Sequence, residues 1–196
     1  RKKMLSYKES LKILKETNAL LEGHFILSSG LHSSKYIQCA QLLSKPWKAL
    51  EICSSLAEKI KKEFKKIDLI LTPAIGGIVV GYEIGRLLKT ETIFCERVEN
   101  KFVLRRDFKI RKNSDVLIVE DVITTGKSSL ECSDLISESK ANVVGYACII
   151  NRSSGNSKIN KKIISQLEID IPTYKKENLP ENLLKIQATK PGSRAL

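Results

Sequence analysis

The sequence predicts an α/β fold, with a central, mostly parallel sheet flanked by helices and a small amino-terminal appendage. Three observations carry this. From residue 67 to residue 151, short apolar and β-branched runs alternate with helical patterns, as in right-handed βαβ units. One run, Val116-Leu-Ile-Val-Glu-Asp-Val-Ile-Thr-Thr-Gly-Lys-Ser-Ser129, passes from a fully buried strand into a polar turn and then a helix. The length of 196 residues, with 42% hydrophobic and 29% charged content, suits one domain with a real core.

The elements follow in order. Residues 6–21 place Leu11, Leu14, Ala19 and Leu20 amid charge and read as an amphipathic helix. Gly23-His-Phe-Ile-Leu-Ser-Ser-Gly-Leu-His-Ser-Ser-Lys-Tyr-Ile-Gln38 is rich in Ser and Gly and reads as two small strands around a turn. After Pro46, the positions Leu50, Cys53, Leu56, Ala57, Ile60 and Phe64 repeat at helical spacing. A strand over 67–71, a turn over 72–77 and a helix over 78–88 come next, then a strand over 92–96. The charged stretch 97–112 has room for a hairpin with 102–104 as one strand. Strand 116–119, helix 128–139 and strand 143–150 complete the alternation. A last strand is expected over 165–171, with loop over 172–180 and an irregular end. The chain thus divides into a single domain over 1–196: helix and appendage over about 1–45, core over about 46–171, and tail over 172–196.

Ligands of parallel α/β sheets bind beyond the carboxyl ends of the strands. That rule gathers 72–77, 97–106, 120–128 and Arg152 around one crevice. There, Glu120 and Asp121 end a strand and Thr124-Thr-Gly-Lys-Ser128 opens a helix. Free N–H groups and the helix dipole suit a phosphate, and Gly126 lets the backbone come close. The acidic pair suits vicinal hydroxyls, because a phosphate would repel it. The run is no P-loop: the glycine required five residues before Gly126 is replaced by Asp121. Ala74, Ile75, Gly76 and Gly77 offer a second set of backbone N–H groups. Arg97, Lys101, Arg105 and Arg106 are suited to cover a polyphosphate, and Arg152 to grip a carboxylate through two hydrogen bonds.

Composition narrows the partners. The net charge is +12, but basic residues are spread along the chain, and aromatics, at 6%, do not interleave with them as nucleic-acid stacking requires. No nucleic-acid partner is therefore expected, and a positive field would favour a polyanionic small substrate. No apolar run is long enough to span a membrane, and no apolar segment follows the basic start. Five scattered cysteines without a CxxC, and only two histidines, argue against structural zinc and for a reducing, cytoplasmic setting.

The run 116–129 closely resembles the phosphoribosyl-pyrophosphate (PRPP) motif of type I phosphoribosyltransferases. Gly23 to Tyr36 resembles the hood over the base in the orotate phosphoribosyltransferase family. Glu96-Arg97, Lys101 and Leu104-Arg-Arg106 resemble its mobile catalytic loop, and Lys190-Pro-Gly-Ser-Arg194 an ending found in one branch. The resemblance implies a pentosyltransferase of pyrimidine (UMP) synthesis that joins orotate to PRPP, giving orotidine 5′-monophosphate and pyrophosphate. It implies that PRPP contacts Glu120, Asp121, Val122, Ile123, Thr124, Thr125, Gly126, Lys127 and Ser128, together with Arg97 and Lys101. The loop Ala74, Ile75, Gly76, Gly77 would take the pyrophosphate. Orotate would meet Thr124, Arg152 and main-chain groups near Tyr36 and Ile37. Lys101, Arg97 and Asp121 are the implied catalytic residues.

It further implies Mg²⁺, held mainly by PRPP with Asp121 reaching it through water and no direct protein ligand assigned. A homodimer sharing the mobile loop is implied too. The next pathway enzyme, orotidylate decarboxylase, would be a separate associating chain. The sequence departs from the family at Lys127, where many members carry a small residue, and at Ser28, where some carry lysine. It also lacks a loop histidine, since His24 and His32 both lie in the hood. Two alternatives remain: a PRPP-dependent transferase for another base, which should lack the hood, and a PRPP-sensing regulator. The regulator should carry an added DNA-binding domain, for which the stretch before Gly23 is too short.

Overall fold

The computed structural model describes residues 4–191. Helix α1 (Tyr7–Glu16) begins at a capping box, in which the Ser6 hydroxyl accepts from the Glu9 N–H and the Glu9 carboxylate from the Ser6 N–H. It stops earlier than the periodicity suggests because Asn18 adopts a left-handed φ of 60° and turns the chain into β1 (Leu20–Ile26). Strand β2 (His32–Ile37) follows, then α2 (Cys39–Leu43), α3 (Pro46–Glu63), β3 (Leu69–Pro73), α4 (Gly76–Leu88), β4 (Thr92–Val98) and β5 (Lys101–Leu104). The chain continues through β6 (Asp115–Ile123), α5 (Lys127–Glu138), β7 (Asn142–Asn151), β8 (Ile163–Glu168), β9 (Thr173–Tyr174), a 3₁₀ turn (Lys176–Asn178) and α6 (Glu181–Leu184).

The main sheet has the order β5-β4-β3-β6-β7-β8, with every pair parallel except the edge hairpin β4–β5. Two buried layers sandwich it. Leu117, Val119, Val80, Ile84, Leu56 and Ile60 pack on the α3/α4 face. Val116, Ile118, Cys132, Ile136 and Cys148 pack on the α5 face. Neighbouring β6 residues therefore serve opposite faces, as the two-residue period of a strand demands.

The expected hairpin in 97–112 is present. Its turn residues Glu99 and Asn100 both have positive φ (47° and 65°), the conformation that matches strand twist in a two-residue turn. Four expectations need correction. The central strand runs to Ile123, not Val119, so the acidic pair lies inside β6, whose pairing to β7 continues as far as Ile123 and Asn151. The last strand of the sheet is Ile163–Glu168, earlier than 165–171, because its pairing partner β7 sets the register. Helix α2 was not expected; its short apolar run fits no long pattern. The stretch 172–180 is not all loop, since Thr173–Tyr174 pair with the free edge of β2 in a second sheet, β1-β2-β9.

That second sheet forms the hood. The tail fastens it, with Ile26 N–H donating to Thr189 O at 2.8 Å and Thr189 N–H to His24 O at 2.9 Å. His24 and His32 are buried there, joined Nε2 to Nδ1 at 2.6 Å, and His24 Nδ1 donates to Ile186 O at 2.8 Å. Both histidines are thus framework residues of the hood. Of the ending that includes Gly192 to Arg194, those residues lie outside the described ones.

Candidate active site

Two helices open onto the carboxyl ends of β3 and β6, and neither has a side-chain cap. Helix α4 starts after Ile75 and α5 after Gly126. Among the described residues the N–H groups of Gly76, Gly77 and Ser128 make no hydrogen bond and are available to an anion, whereas Lys127 N–H donates to Thr125 Oγ1 at 3.3 Å; in α1, by contrast, Ser6 and Glu9 satisfy the start. Gly126 has a φ of 81°, and a Cβ there would lie 2.8 Å from Ile159 Cγ1. The turn thus needs glycine both for its left-handed backbone and for the segment after β7 that lies against it. Lys158 N–H donates to Thr125 O at 3.2 Å in the same contact, whereas the Thr124, Thr125 and Lys127 side chains are exposed. Neither Lys158 nor Ile159 was anticipated, because nothing in 153–161 marks it as adjacent to the turn.

The two carboxylates diverge. Glu120 points to α5, where Ser129 Oγ donates to its Oε2 at 2.5 Å. Asp121 points to the start of α4: a Cβ on Gly76 would lie 2.9 Å from Asp121 Oδ2. Val122 N–H donates to Asp121 Oδ1 at 2.9 Å. Neither carboxylate has a cationic partner among the described residues. Burial raises both pKa values, Glu120 from 4.5 to about 7, with Asp121 adding repulsion and the Ser129 hydrogen bond opposing it.

This has a measurable consequence. The folded value for Glu120 lies above the unfolded one, so stability falls as pH rises between about 4.5 and 7, and the full cost stands above that window. Ionising Glu120 in the folded chain thus costs up to about 3 kcal/mol more than in the unfolded chain. Glu120→Gln should melt roughly 6–12 °C higher than the native chain at pH 8, with the gap closing toward pH 4.5. Thermal melts across pH test this; an equal or lower melting temperature at pH 8 would contradict the cost.

Residues 74–77 lie beside Asp121. The Ala74–Ile75 peptide is cis, Ala74 N–H donates to Cys95 O at 2.8 Å, and Ile75 is 86% exposed. Arg152 also reaches this end of the sheet, its N–H donating to Ile123 O at 2.8 Å. Its Nε is buried without a hydrogen-bond partner, and burial lowers its pKa. Tyr36 and Ile37 are half-buried on β2, Tyr36 packed against Phe25 with ring centroids 6.0 Å apart.

The four hairpin cations separate into two pairs. Arg97 is held: it pairs with Glu131 at 2.8 Å, donates to Asn100 O at 2.7 Å and stacks 4.1 Å from the Phe102 ring centre. Arg106 is held by both Glu96 oxygens at 3.0 and 3.1 Å. The Lys101 and Arg105 side chains make no ion pair or hydrogen bond among the described residues. Lys101 lines a cleft of about 600 Å³ between the hairpin and α5, with Glu131, Asp134 and Glu138 on its far wall. Neither Ser129 nor Glu131 stands out in the sequence; their only signal is a place in the first turns of α5, Ser129 on its buried face and Glu131 on the side toward the hairpin.

Comparison with known proteins agrees with this geometry. Residues 43–183 match the family model "Phosphoribosyl transferase domain". An orotate phosphoribosyltransferase of Parvibaculum lavamentivorans is 48% identical over 187 residues, covering 93% of this chain and 96% of the relative. One from Erythrobacter litoralis is 42% identical, covering 95% and 97%. In fold, the chain is similar to the crystal structure of the Aeropyrum pernix orotate phosphoribosyltransferase, with a TM-score of 0.69 at 23% identity over 81% of this chain and 92% of that one. A family model spanning most of the chain and relatives matched almost end to end, on a sheet with two uncapped helix starts, place it: the chain belongs to the phosphoribosyl transferase domain family, among its orotate phosphoribosyltransferases.

Proposed function

We propose that the crevice transfers the 5-phosphoribosyl group of PRPP to N1 of orotate with the following division of labour. The open start of α5, from Thr124 to Ser128, takes the 5′-phosphate, and the start of α4 with Ala74–Gly77 takes the pyrophosphate. Glu120 and Asp121 accept from the ribose 2′- and 3′-hydroxyls. Arg152 binds the carboxylate of orotate, with Thr124 and the main chain near Tyr36 and Ile37 fixing the ring. The observation that carries this reading is Arg152, a half-buried guanidinium whose Nε is buried without a hydrogen-bond partner, at the same end of the sheet as the start of α5. Such a group is stabilised by an anionic ligand that completes its hydrogen bonds.

A divalent cation fits the same residues. Neither Glu120 nor Asp121 has a cationic partner among the described residues, and burial raises both pKa values. Mg²⁺ held mainly by PRPP, and touched by Asp121 through water, would relieve that, and when bound it would neutralise charge on the leaving pyrophosphate. Lys101 is the chain's own candidate for that neutralisation, since it is uncommitted where Arg97 and Arg106 are held. Its charge stabilises the transition state more than the ground state because negative charge grows on the leaving group. Lys101 must move with the hairpin to act there. Exposed Ile75, Val79 and Tyr82 at and along α4, with Trp47 on α3, support a homodimer formed next to the pyrophosphate loop.

The test is consumption of orotate with PRPP and Mg²⁺, run beside hypoxanthine, adenine and uracil. Orotate alone should be used, and only with Mg²⁺. Lys101→Ala and Asp121→Asn should each lower kcat/KM by roughly 10²–10³. Turnover of another base in preference to orotate would reject the assignment.

A further inference from the structure

Ser129 is fully buried, in the first turn of α5, next to the turn assigned to the 5′-phosphate. Its Oγ donates to Glu120 Oε2 at 2.5 Å, a short bond of the charge-assisted kind. The other oxygen, Oε1, makes no hydrogen bond among the described residues. One carboxylate oxygen is tethered to α5 and the other is left as an acceptor.

We propose that Ser129 is the positioning residue of ribose recognition: it holds Glu120 so that Oε1 meets a ribose hydroxyl, and it sets the distance between hydroxyl site and phosphate cradle. This rests on the reading of the crevice as a PRPP site. The link runs through one helix turn, so Gly126 to Ser128 and the Glu120 anchor move as a unit. The groups facing Glu120 are few. Asp121 precedes the turn on β6, Cys148 lies opposite on β7, and Cys132 lies on α5 with Cys95 of β4 behind it, Sγ to Sγ 3.5 Å. Burial raises the Cys148 thiol, and the Cys95 hydrogen bond together with burial raises Cys132, so both stay neutral. Asp121 is the one charged neighbour among them, and it repels. The Ser129 hydroxyl is therefore the group that favours an ionised, oriented Glu120 in the free enzyme.

The experiment compares KM for PRPP, KM for orotate, kcat and melting temperature in Ser129→Ala, Ser129→Cys and Ser129→Thr between pH 6 and 9. Ser129→Ala should raise the KM for PRPP about ten- to thirtyfold at pH 7 and leave the KM for orotate within about twofold. The pH below which the KM for PRPP climbs should move upward, and the loss should shrink toward pH 9. Ser129→Thr, which keeps the hydroxyl, should recover most of the affinity. Ser129→Cys keeps the volume with a weaker donor, should fall between, and decides the matter if the alanine variant does not fold. An unchanged pH profile of the KM for PRPP, or equal losses for both substrates, would overturn the proposal. Failure of the native chain to use PRPP at all would instead reject the reading on which it rests.

Discussion

Replacing Arg152 by alanine is expected to raise the KM for orotate by roughly 10²-fold or more, with the KM for PRPP changed by less than about threefold. The main chain of Arg152 is tied to Ile123 at the end of β6, which places the residue at the same end of the sheet as the start of α5. The side chain is half-buried and its Nε is buried and unpartnered, so part of the cost of desolvating the cation is met when the protein folds, before any ligand arrives. A carboxylate that then forms two charge-assisted bonds gains roughly 2–5 kcal/mol, because that part of the arginine's dehydration does not have to be supplied again. For the same reason the alanine chain should melt no lower than the native one, since a half-buried cation with an unpartnered Nε is removed. Arg152→Lys should recover only part of the affinity, because an ammonium cannot reproduce the planar fork. Steady-state kinetics with each substrate varied in turn would check this, and an orotate KM within threefold of the native value in the alanine variant would refute it.

Gly77→Ala is expected to lower folding stability by roughly 3 kcal/mol, whereas Gly76→Ala, one residue earlier, should fold normally and lose most activity. A Cβ on Gly77 would lie 2.1 Å from Thr72 Oγ1, 3.1 Å from Pro73 Cδ and 3.3 Å from Val119 O. Thr72 is 1% exposed and the other two atoms belong to packed strands, so relief requires moving α4 off the sheet. The better helix propensity of alanine, at most about 1 kcal/mol, does not compensate. On Gly76 the three atoms nearest the new one all belong to the Asp121 carboxylate, the closest at 2.9 Å, and a side-chain terminus can swing aside. That swing moves the group assigned to the ribose and to water-mediated metal contact. Denaturant unfolding and PRPP kinetics on both variants separate the two effects; a stable, active Gly77→Ala chain would show that α4 is not held as tightly as these distances state.

How much of this was legible beforehand depended on how local each cause is. The alternation of β3, α4, β4, β6, α5 and β7 could be read because burial on a sheet or helix imposes a short period on the sequence itself. The run from Glu120 to Ser128 could be read because an uncapped helix start and a left-handed glycine are local chemistry. The β9 strand could not, because two residues carry no period and pair only where β2 presents an open edge. Nor could the commitment of Arg97 to Glu131, residues far apart in the chain until β4 and α5 pack together.

The sequence by itself determined the α/β class, the position of the small-residue turn that opens α5 and the identity of the acidic pair, since each is written in neighbouring residues. Only the tertiary structure decided that Glu120 turns to Ser129 and Asp121 to Gly76, that Arg152 Nε is buried without a partner, and that the tail completes the hood. Those outcomes depend on which surfaces are brought into contact across the sheet, a quantity that strand pairing and helix packing settle together and that no single stretch of chain contains.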